Sequence, residues 1–291
     1  MRDWNSTFSD WAMPPSQTEQ RKCENAIKAI KDAISSSKEL QQRDVLVFLQ
    51  GSYCNRVNVR QDSDVDIGVA CRTTFFADYP NGLTHEDFGN HPSDYTFSRF
   101  KEEVKAALIS KFGASSVYTG SKAFDIKENT YRVEADVAPF FQYRKYDLNG
   151  LFMEGVELRT TLNHRIINWP EQHYNNGVHK NNLTQRKFKG ITRILKKLCL
   201  EMEREGKTEP SCIPGFLCEC LAWNIPDKIY SKGSYYDILR DGLLFLYNSL
   251  NDQQNVTFKE VNGIKPLFGG GQKWTIDQAK SFIESAWEYV G

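Results

Sequence analysis

The sequence has no run of apolar residues approaching the roughly 18 that a membrane-spanning helix needs, so no membrane partner is expected. Its first residues, Met1-Arg2-Asp3-Trp4-Asn5-Ser6, lack the basic start and apolar stretch of a secretory signal. An excess of one charge is also missing. Lysine and arginine number 37 and so do aspartate and glutamate, which leaves no net field to draw the whole molecule to nucleic acid. The seven cysteines are odd in number and scattered, with only Cys218 and Cys220 close together. That pattern reads as reduced, buried thiols in a cytoplasmic protein rather than as a disulfide framework. Cys212, Cys218 and Cys220 lack a second matching pair and a nearby histidine, so a zinc knuckle is not expected. There is no internal repeat and no low-complexity segment. What remains is 40% hydrophobic and 25% charged, the profile of an ordinary globular protein, and long enough for two lobes.

Along the chain the character changes once. Met1 to Pro15 reads as an irregular lead-in pinned by Trp4, Phe8 and Trp11. Ser16-Gln17-Thr18-Glu19 is a helix-start signature, and Cys23, Ile27, Ile30 and Ile34 follow at helical spacing. Val45 to Leu49 is a short apolar strand, followed by Gly51-Ser52 and a loop rich in Asn and Arg. A second strand runs through Val65, Ile67, Val69 and Ala70. Phe75 to Tyr95, without any period, reads as an insertion or loop. Phe100 to Phe112 is a second helix, and Ser116 to Phe124 and Thr130 to Tyr143 read as further strands. After Trp169-Pro170 helical patterns take over, at Thr184 to Glu205, Pro214 to Ile225, Tyr235 to Asn251 and Thr275 to Val290. The expectation is an α/β core of mixed β-sheet with helices over 1–165, and an all-helical C-terminal lobe over 166–291.

The sharpest local signal is Gly51-Ser52, then eleven residues, then Asp64-Val65-Asp66. The two-residue period of a strand puts Asp64 and Asp66 on one face and turns Val65 and Ile67 into the core. Two carboxylates that close repel each other, a conflict that divalent cations with a taste for hard oxygen ligands remove. Gly51 permits close approach of the backbone to a phosphate, and Ser52 adds a hydroxyl donor. A third acid arrives in Val133-Glu134-Ala135-Asp136-Val137-Ala138-Pro139, where Asp136 again alternates with apolar neighbours. Glu134 shares its face. A lone Asp-x-Asp is common on solvated strand edges. Acids set in apolar strands are costly unless they do something, and three of them beside Gly-Ser suit nucleotidyl transfer assisted by two metal ions.

The run Phe48-Leu49-Gln50-Gly51-Ser52-Tyr53 through Ser63-Asp64-Val65-Asp66-Ile67 resembles the polymerase-beta-type nucleotidyltransferases. More narrowly it is similar to the bacterial cGAS/DncV-like enzymes. The likeness continues in Arg132 to Pro139, Ile167-Asn168-Trp169-Pro170-Glu171-Gln172-His173, Lys180-Asn181-Asn182-Leu183-Thr184 and Cys220-Leu221-Ala222-Trp223-Asn224-Ile225-Pro226, so it spans nearly the whole chain.

The resemblance implies a nucleotidyltransferase core plus helical lobe with the active site in the cleft between them. It implies synthesis of a cyclic di- or trinucleotide signal from nucleoside triphosphates, ATP and UTP among them, with two Mg2+ or Mn2+ ions held by Asp64, Asp66 and Asp136. A downstream effector would read the product, commonly in anti-phage defence. On the helix from Thr184 to Glu205, Lys189, Arg193 and Lys196 share a face. The family places a lysine there near the triphosphate, and Lys196 is the choice, with Arg193 supporting. The plain alternative is a solvated basic face. Where relatives carry a serine or glutamine at the next helix start, this chain has Gly215, so that contact passes to backbone or to Ser211. Asn168 matches an asparagine that lies near the acceptor base in relatives accepting uridine, or else it caps the turn before Pro170. Tyr53, Tyr143 and Trp223 either stack on bases or belong to the core. With no zinc-ligand cluster and balanced charge, activation by duplex DNA is not expected. Two rivals stay open: transfer to an RNA 3′ end or a small-molecule hydroxyl, and a nucleotide-binding regulator without activity.

Overall fold

A computed structural model describes residues 2–14, 16–59, 64–130, 132–207, 213–252 and 256–291 of the chain. Two compact units are present. One, the sheet unit, comprises Ser16–Tyr53 and Gln61–Pro170; the other, the helical unit, comprises Met1–Pro15, Cys54–Arg60 and Glu171–Gly291. The change from sheet to helix thus falls at Pro170, but the first fifteen residues and a short segment after Tyr53 join the helical unit.

The sheet unit is built on β1 (Val45–Leu49), β2 (Val65–Asp78), β3 (Val117–Thr119), β4 (Phe124–Ile126), β5 (Ala135–Tyr146), β6 (Phe152–Arg159) and β7 (Arg165–Asn168). Their order is β1-β2-β5-β4-β3, with β6 pairing the later part of β5 and β7 pairing β6. Only β2 and β5 run parallel among these pairings; the rest are antiparallel. The odd-numbered residues Val65, Ile67, Val69, Ala135 and Val137 are buried. They face two helices, α2 (Gln17–Ser35) and α4 (Phe97–Phe112), which pack on each other, on β2 and on β5. Phe141 on β5 reaches the ring of Phe100 on α4 at 5.7 Å, which fixes this side as the helix-covered one. The even-numbered positions, Asp66 and Asp136 among them, therefore lie on the opposite face.

Three readings of this half need correction. Phe75 to Asp78 is not the start of a loop: β2 continues to Asp78 after Arg72, Thr73 and Thr74 bulge out of register between Cys71 and Phe75. Ser116 to Phe124 is not one strand but part of the hairpin β3–β4, turning at Gly120. Strands β6 and β7 were not foreseen at all.

The helical unit holds α1 (Trp4–Trp11), α5 (Pro170–Leu183), α6 (Lys187–Arg204), α7 (Gly215–Asn224), α8 (Tyr235–Asn251) and α9 (Ile276–Val290); the four-residue α3 (Gly51–Cys54) follows β1. The lead-in expected to be irregular is a helix. Asp3 caps it by accepting from the amides of Asn5 and Ser6, and Phe8 is fully buried against the core that α6, α8 and α9 share. Helix α9 opens with a capping box between Thr275 and Gln278. One cysteine departs from the reduced-thiol reading: Cys199 on α6 is disulfide-bonded. Cys23, Cys54, Cys71, Cys218 and Cys220 are free. Cys212 and Ser211 lie outside the described residues. No helix among the described residues is long and apolar enough to cross a membrane.

Candidate active site

The parallel ladder of β2 and β5 pairs Val65 with Ala135, Asp66 with Asp136 and Ile67 with Val137. The antiparallel ladder of β4 and β5 pairs Asp125 with that same Asp136. Three aspartates thus stand side by side on neighbouring strands, each flanked by apolar residues that hold the register. Asp64, exposed just ahead of β2, adds a fourth charge felt at Asp136. Burial pushes the Asp136 carboxyl up, and the charges of Asp125, Asp66 and Asp64 push it further, to about 7. Glu134, the residue that the sequence placed on the same face, is exposed ahead of β5, where its carbonyl accepts from the Val65 amide at 3.1 Å.

Gly51 closes against this row from β1. Its φ is +69°, a left-handed backbone that L side chains rarely adopt, and a Cβ there would overlap the Asp66 carboxylate. The Gln50 amide donates to the Asp66 carbonyl at 3.0 Å, tying the end of β1 to the start of β2. Gly68 does similar work one step along, since only its bare backbone leaves space for the Phe48 ring. Ser52 is half-buried beside Gly51. So the Gly-Ser step and the acidic pair, separated in sequence, meet in space.

Three carboxylates with hard oxygen donors fit magnesium or manganese chemically. As the side chains stand, no group of three His, Cys, Asp or Glu among the described residues converges tightly enough to enclose a cation. Like charges without a counter-ion gain by standing apart, which accounts for the looser arrangement.

The helical unit carries the cationic residues. Lys196 is 7% exposed on α6, so the solvated basic face weighed for it is ruled out. Burial holds its ammonium group below the usual lysine range, with Glu219 opposing. Glu219 on α7 is 3% exposed, and its carboxylate lies 3.0 Å from His173 Nε2. Burial alone would raise this carboxyl; His173, then Lys196 and Lys189, outweigh it and hold the group ionised. Gly215 opens α7 as the sequence suggested. A Cβ at Gly215 would come within 3.3 Å of Lys196 Cε, so a serine there would crowd the lysine stem. Lys189 is half-buried, its ammonium group held low by burial against the pull of Glu219. Arg193 has a different task. Its Nε and Nη2 donate to the Ala12 carbonyl and its Nη1 to the Arg56 carbonyl, so the guanidinium fork is spent on backbone.

Asn168 ends β7, opposite Val156, half-buried and two strands removed from β5. Tyr143 is core: it is buried, donates to Asp78 at 2.7 Å and meets Trp169 edge-on. Tyr53 donates to the Gln20 carbonyl at 3.2 Å, and Trp223 packs on the helical core. The sequence reading missed Asp125 and Glu219. For Asp125 the signal was present, because Phe124-Asp125-Ile126 repeats the apolar-Asp-apolar pattern of Val65-Asp66-Ile67 and Ala135-Asp136-Val137.

Comparison with known proteins agrees with this geometry. The profile of the cGAS/DncV-like nucleotidyltransferase C-terminal helical domain matches residues 175–291. The chain is 41% identical over 292 residues to a cyclic dipyrimidine nucleotide synthase of Legionella pneumophila, covering 99% of this chain and 98% of that one. The structure of the Rhodothermus marinus c-UMP-AMP synthase with Apcpp and Upnpp is similar at a TM-score of 0.86 and 29% identity, covering 97% of this chain and 94% of that one. That of the Elizabethkingia meningoseptica cyclic dinucleotide synthase with GTP and Apcpp gives 0.83 and 31%, covering 100% of both.

Proposed function

We propose, from the premise that the chain belongs to the cGAS/DncV-like nucleotidyltransferases and is a cyclic nucleotide synthase, that it joins two nucleoside triphosphates into a cyclic dinucleotide containing at least one uridine. A ribose hydroxyl of one nucleotide attacks the α-phosphate of the other, and pyrophosphate leaves. A second such transfer closes the ring. The observation that carries this reading is the row of Asp66 and Asp136 in register on parallel strands, with Asp64 ahead of them and Gly51 against them. Asp64, Asp66 and Asp136 would hold the divalent ions, two Mg2+ or Mn2+. When bound, such ions lower the proton affinity of the attacking hydroxyl and offset charge on the leaving pyrophosphate. Gly51 and Ser52 offer backbone and hydroxyl to a phosphate, and Lys196 with Lys189 supplies cationic donors to the triphosphate. Arg193 supports that helix through its backbone contacts instead. A role in anti-phage defence, with an effector that reads the product, follows the family; cells carrying the gene with its effector should lose phage resistance in the Asp64→Asn/Asp66→Asn variant.

The direct test incubates the purified protein with all four ribonucleoside triphosphates and Mg2+ or Mn2+, and analyses phosphatase-resistant products by mass spectrometry. Cyclic product from the unaltered protein and none from the folded Asp64→Asn/Asp66→Asn variant is the expected result. Product from that variant would remove the two acids from the chemistry.

Base choice is assigned to Asn168. A carboxamide offers both donor and acceptor to a uracil edge. Leaving it unpaired against another base costs about 1–3 kcal/mol, roughly a ten- to hundredfold preference. Asn168→Ser should shift incorporation toward purine in the same assay. An all-purine product from the unaltered chain would defeat this assignment and leave the nucleotidyltransferase standing.

A further inference from the structure

Asp125 lies outside the three-acid set, yet β4 delivers it to the centre of the row. The ladder sets it directly opposite Asp136, on the side away from Asp66, so Asp136 stands between two carboxylates. Its placement is rigid. Phe124 and Ile126 on either side are fully buried, and each is locked to a β5 partner, Val137 and Ala135. The hairpin that carries it is closed by the Gly120 amide donating to the Ala123 carbonyl at 2.9 Å. Asp125 and Asp136 share a side-chain hydrogen bond.

We propose that Asp125 is a positioning residue: it fixes the rotamer of Asp136 through their hydrogen bond, so that Asp136 presents its carboxylate to the divalent ions together with Asp64 and Asp66. The inference rests on the metal reading of those three acids. A carboxylate ligand that rotates freely must be ordered when the ion binds, and a neighbour that orders it beforehand removes that cost. Asp125 suits the task because a ladder partner cannot drift out of register with the residue it orients. A purely structural carboxylate would make a poor choice here. It adds like charge to a site already crowded with it, and that lowers the stability of the metal-free fold.

These two roles predict opposite outcomes. Asp125→Ala and Asp125→Asn would be compared with the unaltered chain by thermal unfolding without metal, by direct Mn2+ binding followed by electron paramagnetic resonance, and by the Mn2+ dependence of product formation. The expected result for Asp125→Ala is Mn2+ affinity weakened about tenfold or more, the usual scale for losing a partner of a metal ligand, with metal-free stability unchanged or raised. Asp125→Asn, whose amide still donates to Asp136, should bind Mn2+ within about threefold of the unaltered chain. Unchanged Mn2+ binding in Asp125→Ala would overturn the proposal, as would loss of metal-free stability as its main effect. Equal weakening in both variants would also overturn it, by making charge rather than orientation the contribution. Because Mn2+ binding is read without turnover, failure of the synthase assignment would register separately, as a protein that binds Mn2+ through these acids and makes no cyclic product.

Discussion

The Lys196 ammonium group sits in surroundings that a solvated helix face does not provide. At 7% exposure it lies within the electrostatic reach of a carboxylate, Glu219, that is itself 3% exposed and leans on His173. A buried cation that pairs with a buried anion contributes to the fold as well as to any phosphate it meets. Lys196→Ala is therefore expected to do two things. It should weaken nucleotide binding, and it should cost about 1–3 kcal/mol of stability by leaving Glu219 short of a partner. The two effects separate in a double variant. Lys196→Ala/Glu219→Gln should recover much of the stability in urea unfolding while nucleotide affinity stays low. Recovery of both would give Lys196 a structural role only and pass the phosphate to Lys189.

Among the elements, legibility followed the apolar pattern. Strand β1, helix α4 and the long helices α6, α8 and α9 were readable because each buries a periodic apolar face. Helix α5 was not, since its buried positions are His173, Gly177 and Lys180, held by partners distant in sequence: Lys180 donates to the Ile225 carbonyl at 2.8 Å and to Asp227 at 2.7 Å. Strand β6 hid for the same reason. Its Glu157 is fully buried and takes the guanidinium groups of Arg165 at 2.8 Å and Arg159 at 2.9 Å, so the alternation of apolar residues is broken where the strand is most enclosed. At the site, Asp64, Asp66 and Asp136 were legible because apolar neighbours frame them. Glu219 was not, because nothing local marks an acid on α7 as the partner of lysines on α6. The β6–β7 pairing yields its own prediction. Arg165 also donates to Asp78, which accepts from Tyr143, so one guanidinium serves three strands. Arg165→Leu should cost about 1–3 kcal/mol in urea unfolding, the scale of stranding a buried polar group; Arg159 still pairs with Glu157 and bounds the loss. A change within about 0.5 kcal/mol, the range of ordinary surface substitutions, would show that Arg159 alone satisfies Glu157.

On the scale of the whole molecule the balance of 37 basic and 37 acidic residues bears on what can switch the enzyme. A protein that binds duplex DNA without regard to sequence does so by placing lysine and arginine on successive phosphates and releasing the counter-ions, which makes affinity fall steeply with salt. That release needs a basic surface in surplus. Here the buried members of the basic set already have partners: Arg193 holds the Ala12 and Arg56 carbonyls, Lys180 holds Asp227, and Lys196 faces Glu219. Substrate triphosphates differ, because a pocket with two or three donors suffices for them. Product formation is therefore expected to proceed at the same rate with and without long duplex DNA at about 50 mM salt, a condition that favours such binding. A rate that rises several-fold with DNA and returns to its starting value near 200 mM salt, where affinity made of phosphate contacts has largely gone, would place a polyanion surface on this chain and make DNA its switch.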